Sequence, residues 1–165
     1  MALLNIVQEG DPILAKVCRP VKEITPRIVR LIDDMKETLI DADGAGLAAP
    51  QVGIMRRVVV LYIGDELVEL INPEIIASEG EQQEIEGCLS VPGVWGITDR
   101  PEKVTVRGLD RNGDVIVREG EGLSARCICH ELDHLDGHLF TEKAVRILTE
   151  KELEEYMESK KDAEK

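Results

Sequence analysis

The chain has 165 residues and a formal net charge of −13, and with only 2% aromatic residues its core must be built from aliphatic side chains. Such an acidic surface keeps a protein soluble and repels phosphate backbones, which argues against a general DNA- or RNA-binding role but says nothing about a small local basic patch. The length fits a single domain, residues 1–165, around one hydrophobic core. No apolar run approaches the length of a membrane span, so no membrane partner is expected. Met1-Ala2-Leu3-Leu4-Asn5 lacks the basic segment and long apolar stretch of an export signal. The expected location is cytoplasmic, with Cys18, Cys88, Cys127 and Cys129 as reduced thiols.

In chain order, Thr25-Pro26 reads as an N-cap followed by proline at the first helical position. Ile28, Leu31, Ile32, Met35 and Leu39 continue with helical spacing, up to the loop Asp43-Gly44-Ala45-Gly46. The run from Arg57 to Ile63 predicts a buried strand. Gly64-Asp65 predicts a turn into a second strand near Leu67 to Ile71, which Asn72-Pro73 should end or bend. The run from Lys103 to Arg107 alternates apolar and polar residues. Asn112-Gly113 is a hairpin signal, and Val115-Ile116-Val117 returns beside it. A helix from about Glu121 should stop at Gly137, and a last helix should run roughly from Thr149 to Lys160. These elements predict an α+β fold, with short mixed or antiparallel sheets packed around a central metal-binding helix.

That central helix carries the chemistry. His130 and His134 are four residues apart, so they stack on one helical face and can aim two imidazoles at one point. Imidazole suits zinc or ferrous iron. Glu131, beside the first histidine, completes an H-E-x-x-H pattern in which a carboxylate serves metal-assisted hydrolysis. A catalytic site of this kind usually has a third protein ligand and one open position. Downstream, His138, Glu142 and Glu150 are open as candidates by spacing. Upstream, Cys88 within Glu86-Gly87-Cys88-Leu89-Ser90 offers a thiolate, although a free cysteine is also commonly just a small buried side chain.

Three segments taken together resemble the peptide deformylases. With h for an apolar residue, Gly44-Ala45-Gly46-Leu47-Ala48-Ala49-Pro50-Gln51 matches G-h-G-h-A-A-x-Q. Glu86-Gly87-Cys88-Leu89-Ser90 matches E-G-C-h-S, and His130 to Gly137 matches H-E-h-D-H-L-x-G. The likeness runs from the Gly10-Asp11-Pro12 region to about Phe140. It implies a hydrolase of protein biosynthesis that removes the formyl group from N-formylmethionyl polypeptides and releases formate. It implies one divalent metal on Cys88, His130 and His134, most often Fe2+, with Zn2+, Ni2+ or Co2+ able to replace it. Glu131 would be the general base, while the Gln51 amide and the Leu89 backbone N–H would donate to the oxyanion. Gly46 would lie along the peptide substrate, and Arg100 would line its groove. From the residues alone, Glu86 and Arg100 could pair beside the site, and Asp133 or Asp136, on the ligand helix, could orient an imidazole or simply lie on an exposed face.

Two features depart from the family pattern. Cys129 stands where relatives most often have glutamine. Some relatives reach the ribosome through a basic C-terminal helix. A transient ribosome contact is therefore a partner the resemblance brings, but the tail here is rich in acid (Glu150, Glu152, Glu154, Glu155, Glu158, Asp162 and Glu164) and reads as a solvated face or a self-association surface.

Overall fold

In the computed structural model, which describes residues 2–163, helix α1 (Pro26–Ala42) begins where the Thr25 hydroxyl accepts the Ile28 N–H at 3.3 Å. Ile32, Met35 and Leu39 form its fully buried face. It stops at Asp43, whose φ of 53° is left-handed, and a short extended segment, β1 (Gly46–Ala48), follows.

Strand β2 (Val58–Ile63) explains its own unbroken apolar run. Val58 and Val60 belong to the cluster that packs on Ile32, Met35 and Leu39 of α1. Val59 and Leu61 belong to the opposite cluster, with Ile128 and Leu132 of the central helix α2 (Leu123–Leu135). Successive side chains of a strand point to opposite faces, and here a helix covers each face.

The larger sheet is antiparallel with strand order β1-β2-β3-β6-β7, comprising also β3 (Glu66–Glu79), β6 (Lys103–Leu109) and β7 (Val115–Glu121). The second sheet is antiparallel β4-β5-β8, from β4 (Gln82–Cys88), β5 (Val91–Arg100) and β8 (Ala144–Leu148). A four-residue helix α3 (Phe140–Lys143) precedes β8, and α4 (Glu150–Ala163) follows it. The expected α+β class is observed, with antiparallel ladders throughout the named strands.

Of the two outcomes expected at Asn72-Pro73, the second strand bends there and does not end. It makes a bulge, and pairing with β6 resumes at Glu74. Asn72 takes a φ of 52°, and its side-chain amide binds the Val21 N–H and carbonyl at 2.8 Å each. That exchange, between residues far apart in the chain, offsets the left-handed backbone. The central helix starts at Leu123, because Glu121 still belongs to β7, and the last helix runs to Ala163. The hairpin after β6 closes over Asp110–Asp114, with the Asp110 carboxylate accepting the N–H groups of Asn112 and Asp114.

The C-terminus of α2 is anchored by its orphan carbonyl at Leu135. It accepts from Cys18 N–H at 2.8 Å and from the Arg57 guanidinium at 3.1 Å. Gly137 follows with a φ of 81°, and a side chain there would strike the Ala15 backbone at 2.7 Å. These contacts fix the rotation of α2, and so the direction in which its histidines point.

Candidate metal centre

His130 and His134 are buried on α2, with their Nε2 atoms 3.2 Å apart. Cys88, the last residue of β4, brings its Sγ to 3.4 Å from His134 Nε2. Donor atoms of Cys88, His130 and His134 all lie within 4.8 Å of one another. A tetrahedral zinc-like cation with ordinary bond lengths sets S and N donors about 3.3–3.6 Å apart, so the spacing fits one. The donor set, one thiolate and two imidazoles, suits zinc or ferrous iron. Buried His134 Nδ1 has no hydrogen-bond partner among the described residues.

A single hydrogen bond aims the first imidazole. His130 Nδ1 meets Glu86 Oε2 at 2.7 Å, which turns Nε2 toward Cys88 and His134. Glu86 is itself buried and held by Thr98, Arg100 and Arg126. Against burial, which raises its pKa, hydrogen bonds from His130 and Arg100 keep the Glu86 carboxyl well below the usual range. Burial lowers the His130 pKa, but Glu131, Cys88 and Glu86 outweigh it and hold His130 well above the ordinary value. Burial and the neighbouring His130 push His134 well below it.

Glu131 is buried beside the ligands, and burial raises its pKa to about 7. Its Oε1 has no hydrogen-bond partner among the described residues. Gly46 packs against this carboxylate. Gln51 is also buried. Its Oε1 accepts the Ala48 N–H at 2.9 Å, so Nε2 is the end turned toward Cys88 Sγ, 3.6 Å away, and Ser90 Oγ, 3.1 Å away. Leu89 occupies the two-residue turn between Cys88 and Val91. The N-terminal segment braces both sides, with Val7 N–H on the Gln51 carbonyl and Glu9 N–H on the Ser90 carbonyl.

A groove of about 500 Å³ opens over these groups, and Gly46, Cys88, Leu89, Trp95, Cys127 and Glu131 are among the residues that line it. Arg100 is not. Its guanidinium is buried behind the ligands, donating to Glu86 and, at 2.7 Å, to Asp133. The expectation that Arg100 lines the substrate groove is corrected, while its expected pairing with Glu86 is observed. Asp133 faces Arg100 and Lys143 rather than an imidazole, and Asp136 faces Arg57. His138 and Glu142, open as ligands by spacing, pair with each other at the surface. Cys127 and Cys129 pack within α2's buried face.

Arg126 is the residue that the sequence reading passed over. It lies one helical turn before His130, is buried, and reaches Glu86, Gln82 and Thr98. Its signal was a basic residue on the ligand face of a buried helix, which requires a buried anion opposite.

The family model described as polypeptide deformylase matches residues 3–150 of the chain. The peptide deformylase of Acetivibrio thermocellus is 54% identical over 161 residues, 98% of this chain and 95% of that protein. The peptide deformylase of Agathobacter rectalis is 59% identical over 143 residues, 87% of this chain and 90% of that one. Among solved structures, the peptide deformylase from Legionella pneumophila superposes with a TM-score of 0.83 at 39% identity, covering 98% of this chain and 97% of that one. The one from Thermotoga maritima superposes equally well, at 0.83 and 37% identity, over 86% of this chain and 97% of that chain. The chain belongs to the polypeptide deformylase family, hydrolases that remove the formyl group from the N-termini of nascent polypeptides.

Proposed function

We propose that Cys88, His130 and His134 hold one divalent cation, and that Glu131, Gln51 and Leu89 work around it to hydrolyse the N-formyl group of formylmethionyl polypeptides. Formate and a free α-amine are the products. The observation that carries this reading is the convergence of three donors from β4 and α2 in a groove whose walls include a buried carboxylate. Ferrous iron is the cation we assign, with zinc, nickel or cobalt able to take the same ligands. When bound, it supplies Lewis acidity, lowering the pKa of water to about 7 in zinc hydrolases.

The chain's own groups then divide the work. The Glu131 carboxylate takes a proton from water and returns it to the leaving nitrogen. A pKa near its working pH suits a group that must do both, and burial places it at about 7. Gln51 Nε2, held by the Ala48 contact, donates to the oxygen on which charge develops, and the Leu89 N–H is the second donor. Loss of one such donor lowers turnover by about 10²–10³ in other hydrolases. Gly46 offers its backbone to an extended peptide along the groove. Leu123, Ile85 and Cys127 provide the apolar wall suited to a methionine side chain. Arg100 acts as a positioning residue through Glu86 rather than on the substrate.

Residues 1–165 serve as one catalytic domain with α4 as its C-terminal helix. A cytoplasmic setting, with transient contact to the ribosome that presents the substrate, fits this function. No helix among the described residues is long and apolar enough to cross a membrane. The test is direct. Protein loaded anaerobically with ferrous iron should release formate from formyl-Met-Ala-Ser, and Glu131→Ala should abolish release with metal still bound. Silence from the loaded, reduced wild-type protein would overturn the reading.

A further inference from the structure

A second groove, of about 760 Å³, lies apart from the metal centre and shares no lining residue with it. Arg19, Arg27, Arg30 and Arg56 surround it, over an apolar floor that includes Ile28 and Leu31. These are the arginines for which no carboxylate lies within ion-pair distance among the described residues. Every other arginine in the chain meets one, from Arg57 with Asp136 to Arg146 with Glu152. In a chain of net charge −13, with carboxylates in excess, four guanidiniums left without an anion around one groove is a specific placement.

The fold arranges them as two pairs. Arg27 and Arg30 are three residues apart on α1, hence on neighbouring positions of one helical face. Arg19 and Arg56 are directly bridged across a parallel backbone contact. Arg19, Arg27 and Arg30 are exposed and Arg56 is half-buried. The single carboxylate of the rim, Asp34, accepts the Ala2 N–H.

We propose that this arginine groove binds the phosphate backbone of RNA. A cleft lined by one sign of charge with low-dielectric walls focuses its field on an approaching polyanion. Guanidinium forks match phosphate oxygens, and all four cations here are arginine, not lysine. The acidic remainder of the surface repels RNA and leaves this face as the one that can approach it. The inference rests on the nascent-chain reading above, which is what brings the enzyme beside RNA. It assigns that contact to α1 and the Arg19–Arg56 bridge rather than to the acidic tail.

The experiment measures binding of a fluorescein-labelled RNA hairpin to the metal-loaded protein by anisotropy across a salt series. Arg27→Glu/Arg30→Glu should weaken binding at least about tenfold and flatten the slope of log K against log salt by about two. Arg19→Ala/Arg56→Ala should act in the same direction. Arg107→Ala, which removes an arginine already paired with Glu74, should leave binding unchanged. Formate release from free formyl-Met-Ala-Ser should be the same in all these proteins, so a failed deformylase reading is seen separately from a failed RNA contact. The idea is overturned if the groove variants bind RNA as wild type does. It is overturned equally if Arg107→Ala weakens binding as much, or if a poly-glutamate peptide at equal charge displaces the RNA, which would mark the groove as a site for acidic protein.

Discussion

Gly46 leaves Glu131 its place: a Cβ carbon at position 46 would lie 2.7 Å from the Glu131 carboxylate. The Glu131 carboxylate therefore requires glycine here, and Glu131 is the general base we propose. Gly46→Ala should displace the carboxylate and lower kcat by about 10²-fold, the scale expected for a misplacement of about 1 Å. Metal content should be unchanged, since the ligands are not touched. A rise in KM alone, with kcat intact, would mean that the glycine serves only the substrate.

Glu86 is the joint between the ligands and the rest of the protein. It orients His130 and neutralises Arg100 and Arg126 in a buried site. Glu86→Gln keeps the shape but removes the charge. Loss of an imidazole's orienting partner typically weakens metal affinity about 10–100-fold. Breaking a buried ion pair on one side costs about 3 kcal/mol or more. The variant should therefore lose metal to a chelator more readily and melt at a lower temperature even when metal-free. Unaltered melting of the metal-free protein would show that the arginines find other partners.

The four thiols should react unequally. Burial raises the pKa of Cys18, Cys127 and Cys129, which holds them as unreactive thiols. Cys88 is half-buried and lines the groove. Iodoacetamide should label Cys88 first in metal-free protein, and bound metal should protect it. The same exposure predicts that iron-loaded activity fades in air, whereas zinc-loaded activity is weaker and persists. Peptide mapping that finds Cys127 or Cys129 labelled ahead of Cys88 would contradict this order.

The helix bearing both histidines was legible because its two signals are local, a four-residue spacing and a glycine stop. The same holds for α1, whose Thr25-Pro26 start and apolar stripe lie within one segment. The hairpin of β4 and β5 was not legible. Gln82, Gln83, Glu84 and Glu86 carry no apolar pattern that marks a strand, and Arg100, Arg126 and His130, from β5 and α2, surround the buried Glu86 carboxylate. Arg100 was misplaced for the same reason. Its partner Asp133 is 33 positions away, and no periodicity reports such a contact. At Asn72 the sequence left both an end and a bend open, because the bonds that decide between them go to Val21.

Acid should unfold the protein partly through Glu69, a near-buried carboxylate on β3 between α1 and the Asp110–Asp114 hairpin. It accepts from Lys36 at 2.7 Å and from the Arg111 N–H at 2.8 Å, and Arg111 in turn reaches Asp33. Burial raises its pKa, but the hydrogen bonds from Arg111 and Lys36 prevail and lower it to about 2. In the unfolded chain a glutamate titrates at about 4.3. A depressed pKa stabilises the fold above the unfolded value, and that stabilisation is lost as pH falls from about 4.3 toward 2. With Lys36 and Arg111 partly in solvent, the contribution should be about 2 kcal/mol at neutral pH. Urea melts of wild type and Glu69→Gln should differ by about that much at pH 7, and the difference should shrink through this window. A difference that stays constant down to pH 2 would mean that shape, not charge, makes the Glu69 contact matter.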